Sequence, residues 1–195
     1  MAPSSPVDIV RTIFDEAGAA HRRFVEHGSE RTAEAASVIQ RAVASGLKVL
    51  AFGNGGSAAD AQHFAAELVG RFEIERRALA AIALTPDSSI VTAIANDYGY
   101  EYVFTRQVEA LGKEGDIALG ISTSGRSRNV EAALAAAKAR GMVTIALTGR
   151  DGGRMGVEAD IHINVPETST ARIQEVHRTI LHAICSVVEC GLSSQ

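Results

Sequence analysis

Two short segments carry residue types that suit an anion. The first is Gly53-Asn54-Gly55-Gly56-Ser57-Ala58-Ala59-Asp60, and the second is Ser122-Thr123-Ser124-Gly125-Arg126-Ser127. In the first, glycines permit positive φ and close backbone approach. Ser57 then opens a helix, whose free N–H groups and dipole favour negative charge. In the second, four hydroxyls surround a glycine just before another helix. Hydroxyls and helix-start amides suit a phosphate monoester. Neither segment ends in the Gly-Lys-Ser/Thr of a nucleotide loop, and neither matches the dinucleotide fingerprint. A third glycine-rich segment, 149–156, reads as a plain mobile turn.

A second group of residues could do chemistry beside that phosphate. His63 and Glu67 are four apart on the helix opened by Ser57, so they share one face. Imidazole and carboxylate on one face form a metal half-site acceptable to zinc. A C-terminal helix offers Gln174, Glu175, His177, Arg178 and His182. Asp60 and Arg71 are further candidates, with cap and surface roles as the competing reading. Arg126 and Arg128 read as solvent-facing. Asn96 and Asp97 could contact a ligand or cap a helix before a turn at Gly99.

These segments must be placed by a fold. Apolar runs at 48–52, 79–84, 116–121, 143–147 and 160–165 do not alternate with polar residues, as expected of parallel strands covered on both faces. Helical segments at 57–70, 87–96, 100–111, 127–140 and 168–190 separate them. The pattern predicts an α/β fold: a three-layer αβα sandwich around a five-stranded parallel sheet, in one domain over 1–195. Ligands in such folds sit beyond the carboxyl ends of the strands. The first 45 residues predict a helical pair over about 7–45, broken at Gly28 and Ser29 with Ser29 as N-cap. Such an extra pair is expected to pack against other subunits.

Composition bounds the partners. The chain has 195 residues, a formal net charge of −4 and no basic run, which argues against a nucleic-acid footprint. No apolar stretch reaches the ~18 residues of a membrane span. The N-terminus lacks the basic-then-apolar form of a secretory signal. Cys185 and Cys190 are five apart in a helical segment, a poor geometry for pairing, and read as two reduced core thiols. A cytoplasmic location is expected.

The segments GNGGSAADAQHFAAEL, the AND triplet ending at Asp97, STSGRS, and TARIQEVHRTILH resemble sugar isomerase (SIS) domains, flavodoxin-like in fold, and within them the phosphoheptose isomerase family. The resemblance covers essentially the whole chain. It implies isomerisation of sedoheptulose 7-phosphate to D-glycero-D-manno-heptose 7-phosphate through an enediol(ate), an early step toward heptose for lipopolysaccharide or capsule. It implies one zinc ion per site, held by His63, Glu67, Gln174 and His182, and a homotetramer. It leaves His177 aside. It assigns Ser122, Thr123, Ser124 and Ser127 to the phosphate, with Asn54, Gly55, Gly56, Ser57, Asn96, Asp97, Glu67 and Gln174 also on the substrate. For that reaction Glu67 suits the carbon base and His182 the second acid/base. Base and ligand roles compete at Glu67. Gln174 and His182 lie ~12 Å apart along a helix and differ by roughly 80° around it. One ion is hard to reach from both, so a site at a subunit interface is expected. The alternatives are a non-catalytic SIS regulator that binds the replication initiator, a pentose or hexose phosphate isomerase, and an amino-sugar phosphate etherase. The His/Glu and Gln/His set disfavours all of them.

Overall fold

The computed structural model describes residues 5–193. The ends of the expected 1–195 domain, with the first four residues of the N-terminal segment, lie outside the described residues. Five parallel strands form one sheet: β1 (Val49–Gly53), β2 (Ala81–Ala83), β3 (Ile117–Ser122), β4 (Val143–Gly149) and β5 (Ile161–Val165). Their order is β2-β1-β3-β4-β5. This is the flavodoxin-like order, whose connections diverge between β1 and β3. β1 and β3 are buried along their whole length, which explains their uninterrupted apolar sequence. β5 lies at an edge and alternates between buried and half-buried residues.

Helices cover both faces. One face carries α1 (Pro6–Ala44), α2 (Gly56–Val69) and α7 (Thr170–Ser193), packed through Ile39, Phe64, Leu68, Ile180 and Ile184. The other carries α3 (Ser88–Tyr98), α4 (Thr105–Leu111), α5 (Arg128–Ala139) and α6 (Gly153–Glu158), packed through Phe52, Phe104, Val130 and Leu134. Among the described residues no helix is long and apolar enough to cross a membrane.

Four expectations need correction. The N-terminal pair is a single helix, α1, of 39 residues. Gly28 does not break it, because the Phe24 ring fills the space beside it; a Cβ there would stand 2.1 Å from the ring. Ser29 is not a cap. Its hydroxyl donates to the Val25 carbonyl inside the helix, and the actual N-cap is Ser5, which accepts from the Asp8 N–H. The second correction is at 149–156, where α6 follows a tight turn. The third is at 100–111, which divides into a 3-10 turn (Tyr100–Tyr102) and α4. The fourth concerns the thiols: Cys185 is a core thiol, but Cys190 is exposed.

Candidate functional site

Both Ser/Gly segments emerge at the divergence point, one after β1 and one after β3. β1 and β3 pair through Gly53 and Ile121. Gly53 is dictated by this closeness, since a Cβ would stand 2.7 Å from the Ile121 carbonyl oxygen. Gly55 turns the chain into α2 at φ 57°.

At the end of β3, Ser122 Oγ lies 2.9 Å from Ser127 Oγ and 3.3 Å from Ser124 Oγ. Ser127 is the N-cap of α5, yet its hydroxyl does not bond the first turn. The Val130 N–H donates to the Ser127 carbonyl at 2.9 Å, and the Arg128 and Asn129 amides ahead of it are left to an incoming oxygen. Thr123 is half-buried between these serines. The two segments are joined by reciprocal amide bonds: Asn54 Nδ2 donates to Asn129 Oδ1 and Asn129 Nδ2 to Asn54 Oδ1, both at 2.9 Å. Tyr100 Oη donates to Asn54 Oδ1 at 3.1 Å. Sequence reasoning missed Asn129 and Tyr100. The available signal was an asparagine in a first helical turn, where its own backbone preferences make it a poor helix former.

The 149–156 segment buttresses the serine loop. Arg126 pairs with Asp151, and hydrogen bonding to Arg126 first, then to the Gly153 N–H, holds the Asp151 carboxyl below its ordinary range. Arg126 and Arg128 are exposed. Gly125 has φ 63°, and a Cβ there would lie 2.0 Å from the Gly152 carbonyl oxygen. Gly125→Ala is therefore expected to lose at least about 2 kcal/mol of stability. It should also weaken the binding of inorganic phosphate. A urea midpoint and a phosphate titration check both effects.

The reactive side chains lie along the seam between α2 and α7. The two helices run in the same direction in nearly constant register. Gln174 lies against Gly56, where its amide occupies the place of a Cβ. Arg178 donates to the buried Asp60, with Nε at 2.8 Å and Nη2 at 2.5 Å from Oδ1. His182 Nε2 stands 2.8 Å from His63 Nε2, and His63 Nε2 stands 3.3 Å from Glu67 Oε1. One imidazole of the pair must present N–H and the other a lone pair. All three side chains are half-buried. Burial first, then His63 and Arg178, lower the His182 pKa, with Glu67 and Asp60 opposing. The neutral form of the His182 ring is therefore favoured.

His63, Glu67 and His182 thus converge within one chain. Gln174 does not join them; it sits beside Gly56, roughly 10 Å of helix rise before His63. Asn96 and Asp97 are exposed in the last turn of α3 and bond to each other at 2.8 Å. They stand just before Tyr100, which reaches Asn54. Arg71 is exposed and contacts Glu73 and Glu75. His177 is fully buried, with Nε2–H donating to the Thr148 carbonyl at 2.9 Å, and burial pushes its pKa down to about 4. It is a core group.

The trio suits zinc by donor type: two imidazole nitrogens and a carboxylate. Tetrahedral ligands at 2.0–2.1 Å stand about 3.3 Å from one another. The His63–Glu67 separation meets that value, whereas the two imidazoles would have to part by about half an ångström. As they stand, no group of three or more His, Cys, Asp or Glu side chains among the described residues is set to hold a metal ion.

The SIS-domain family model matches residues 13–149. The phosphoheptose isomerase of Geobacter metallireducens is 58% identical over 162 residues, covering 83% of this chain and 86% of its own. The chain belongs to the phosphoheptose isomerase family. The solved phosphoheptose isomerase of Neisseria gonorrhoeae superposes with a TM-score of 0.89 at 47% identity, covering 94% of this chain and 98% of that one. That of Francisella tularensis gives 0.92 at 38% identity, covering 96% and 100%. As a member of this family the protein is an isomerase. Nothing in these relatives supports the regulator reading.

Proposed function

We propose that the protein interconverts sedoheptulose 7-phosphate and D-glycero-D-manno-heptose 7-phosphate in the synthesis of nucleotide-activated heptose. The observation that carries the chemistry is the convergence of His63 and Glu67, on the helix that starts at the Gly53–Ser57 loop, with His182 on α7. The Ser122, Ser124 and Ser127 hydroxyls and the first turn of α5 take the phosphate. Thr123, Asn54, Gly55, Gly56, Ser57, Asn96 and Asp97 complete the substrate contacts. Glu67 removes a proton from C1 of the ketose, beside the C2 carbonyl, and a proton is returned to C2. Its Oε1 faces His63, which leaves Oε2 to carry the proton. His182, neutral and half-buried, moves the proton between the oxygens on C1 and C2. Held by His63, Glu67 and His182, with Gln174 from a neighbouring copy, zinc would supply Lewis acidity toward the two substrate oxygens.

The tetramer is part of this reading. The first turns of α1 expose Val7, Val10 and Phe14 on one face, with Phe14 74% exposed. An apolar stripe of this kind asks for a covering partner. α3 likewise buries none of its residues within the chain. We place the enzyme in the cytoplasm, where soluble sugar phosphates are made, and assign its product to lipopolysaccharide or capsule heptose. The test is a zinc-supplemented assay on sedoheptulose 7-phosphate, with pentose and hexose phosphates as controls. Turnover confined to the heptulose supports the reading. Faster turnover of a shorter sugar phosphate overturns it.

A further inference from the structure

We infer that the buried Arg76–Glu189 pair is a positioning device that fixes α2 against α7 and thereby sets the His63/Glu67/His182 geometry. The inference rests on the reading that this trio does the chemistry. Arg76 lies in the segment after α2 and turns its guanidinium back onto that helix. Its Nη2 donates to the Glu67 carbonyl at 2.7 Å. Its Nη1 donates to the carbonyls of Leu68, Gly70 and Arg77 at 2.8, 3.1 and 3.0 Å. A cation that satisfies the last carbonyls of a helix also meets the negative end of its dipole. The backbone of the proposed base is thus tied directly to Arg76.

The other end of the device is on α7. Arg76 Nε stands 3.1 Å from Glu189 Oε1. The Glu189 side chain is 1% exposed and that of Arg76 7%. The Glu189 carboxylate accepts the consecutive N–H groups of Phe72, Glu73 and Ile74 at 2.8, 2.9 and 2.9 Å. Burial alone would raise this carboxyl. The three N–H donors and Arg76 outweigh burial and hold it below its ordinary range, so it stays charged. Phe72, fixed at the start of this turn, places its ring against His182, with centroids 5.3 Å apart. The chain of contacts therefore closes: Glu67 to Arg76, to Glu189, to the 72–74 turn, to Phe72, to His182, to His63, and back to α2.

The fields of both carboxylates reach Cys185 of α7. Cys185 lies one turn before Glu189, and burial first, then Glu67 and Glu189, push its thiol up to about 12. The thiol stays protonated. Asp60–Arg178 already ties the first half of the seam. Without Arg76 and Glu189 the second half, where Glu67 sits, would be held only by the His63–His182 contact and by apolar packing, which fixes burial better than it fixes separation. Buried ion pairs rarely add stability over an apolar pair of the same size, so a specified geometry is the better reason for one here.

Glu189→Gln keeps the size and an acceptor oxygen but removes the charge. It is expected to lower kcat by ~10- to 100-fold with KM for the sugar phosphate within about twofold of wild type. In the same variant, prepared metal-free, the His182 ring protons should lose the ring-current shift that Phe72 imposes. Phe72→Leu should reproduce the fall in kcat with the ion pair intact, and its kcat serves alone if Glu189→Gln does not fold. Unchanged kcat in either folded variant, or unchanged His182 resonances in Glu189→Gln, overturns the inference. A Glu189→Gln protein whose KM rises while kcat holds also overturns it. The resonance measurement needs no turnover. A failure of the catalytic reading would show as near-normal turnover in Glu67→Gln and would leave the resonance result standing.

Discussion

Glu67→Gln is expected to lower kcat by ~10³- to 10⁴-fold while leaving sugar-phosphate binding within a few-fold of wild type. The amide keeps the volume and can still lie 3.3 Å from His63, so the seam between α2 and α7 should survive. What it cannot do is accept a proton from carbon. The phosphate contacts are remote from this change: the hydroxyls of Ser122, Ser124 and Ser127 and the first turn of α5 belong to other elements. Binding and chemistry should therefore separate cleanly. Single-turnover measurements with titrated substrate make the distinction, because they read binding apart from the chemical step. Turnover within a few-fold of wild type would remove Glu67 as the base and move the task to His182.

The contrast between loop and seam also explains what could be read from the sequence. The five strands were legible because parallel strands covered on both faces must be apolar throughout, and β1 and β3 are. The phosphate loops were legible because positive φ at Gly55 and Gly125 and hydroxyls before helices are local requirements. Local reasoning failed where a distant side chain decided the outcome. Gly28 looks like a breaker until the Phe24 ring is seen to occupy its space. The 149–156 segment looks like a mobile turn until Gly125 and Gly152 are found packed backbone to backbone. The Asn54–Asn129 lock joins residues 75 positions apart, and the pairing of Glu189 with the 72–74 turn joins residues 115 to 117 apart. No periodicity encodes such pairs. The register of α2 against α7 is of the same kind. It pairs Asp60 with Arg178 and His63 with His182, at separations of 118 and 119 residues, and so leaves Gln174 at the phosphate end of the seam.

That register leads to the second large effect. Within one chain, Gln174 lies at Gly56, while the imidazoles and Glu67 lie further along the seam. If Gln174 completes a zinc site, the ion it touches is held by a neighbouring copy. Chelation is then expected to abolish most turnover and added zinc to restore it. Gln174→Ala should weaken zinc binding, read by competition with a chromogenic chelator. Two inactive variants should also rescue each other. A Glu67→Gln subunit still supplies Gln174, and a Gln174→Ala subunit still supplies Glu67. After subunits are unfolded and refolded together in equal amounts, roughly a quarter of the sites should combine intact Glu67 with intact Gln174. A site built within one chain cannot be rescued in this way, since every subunit carries one lesion. Recovery near a quarter of wild-type activity would place Gln174 across an interface, and no recovery would return it to its own chain's phosphate end. Full turnover in metal-free protein would remove the Lewis acid and leave Glu67 and His182 to carry the proton transfers unaided.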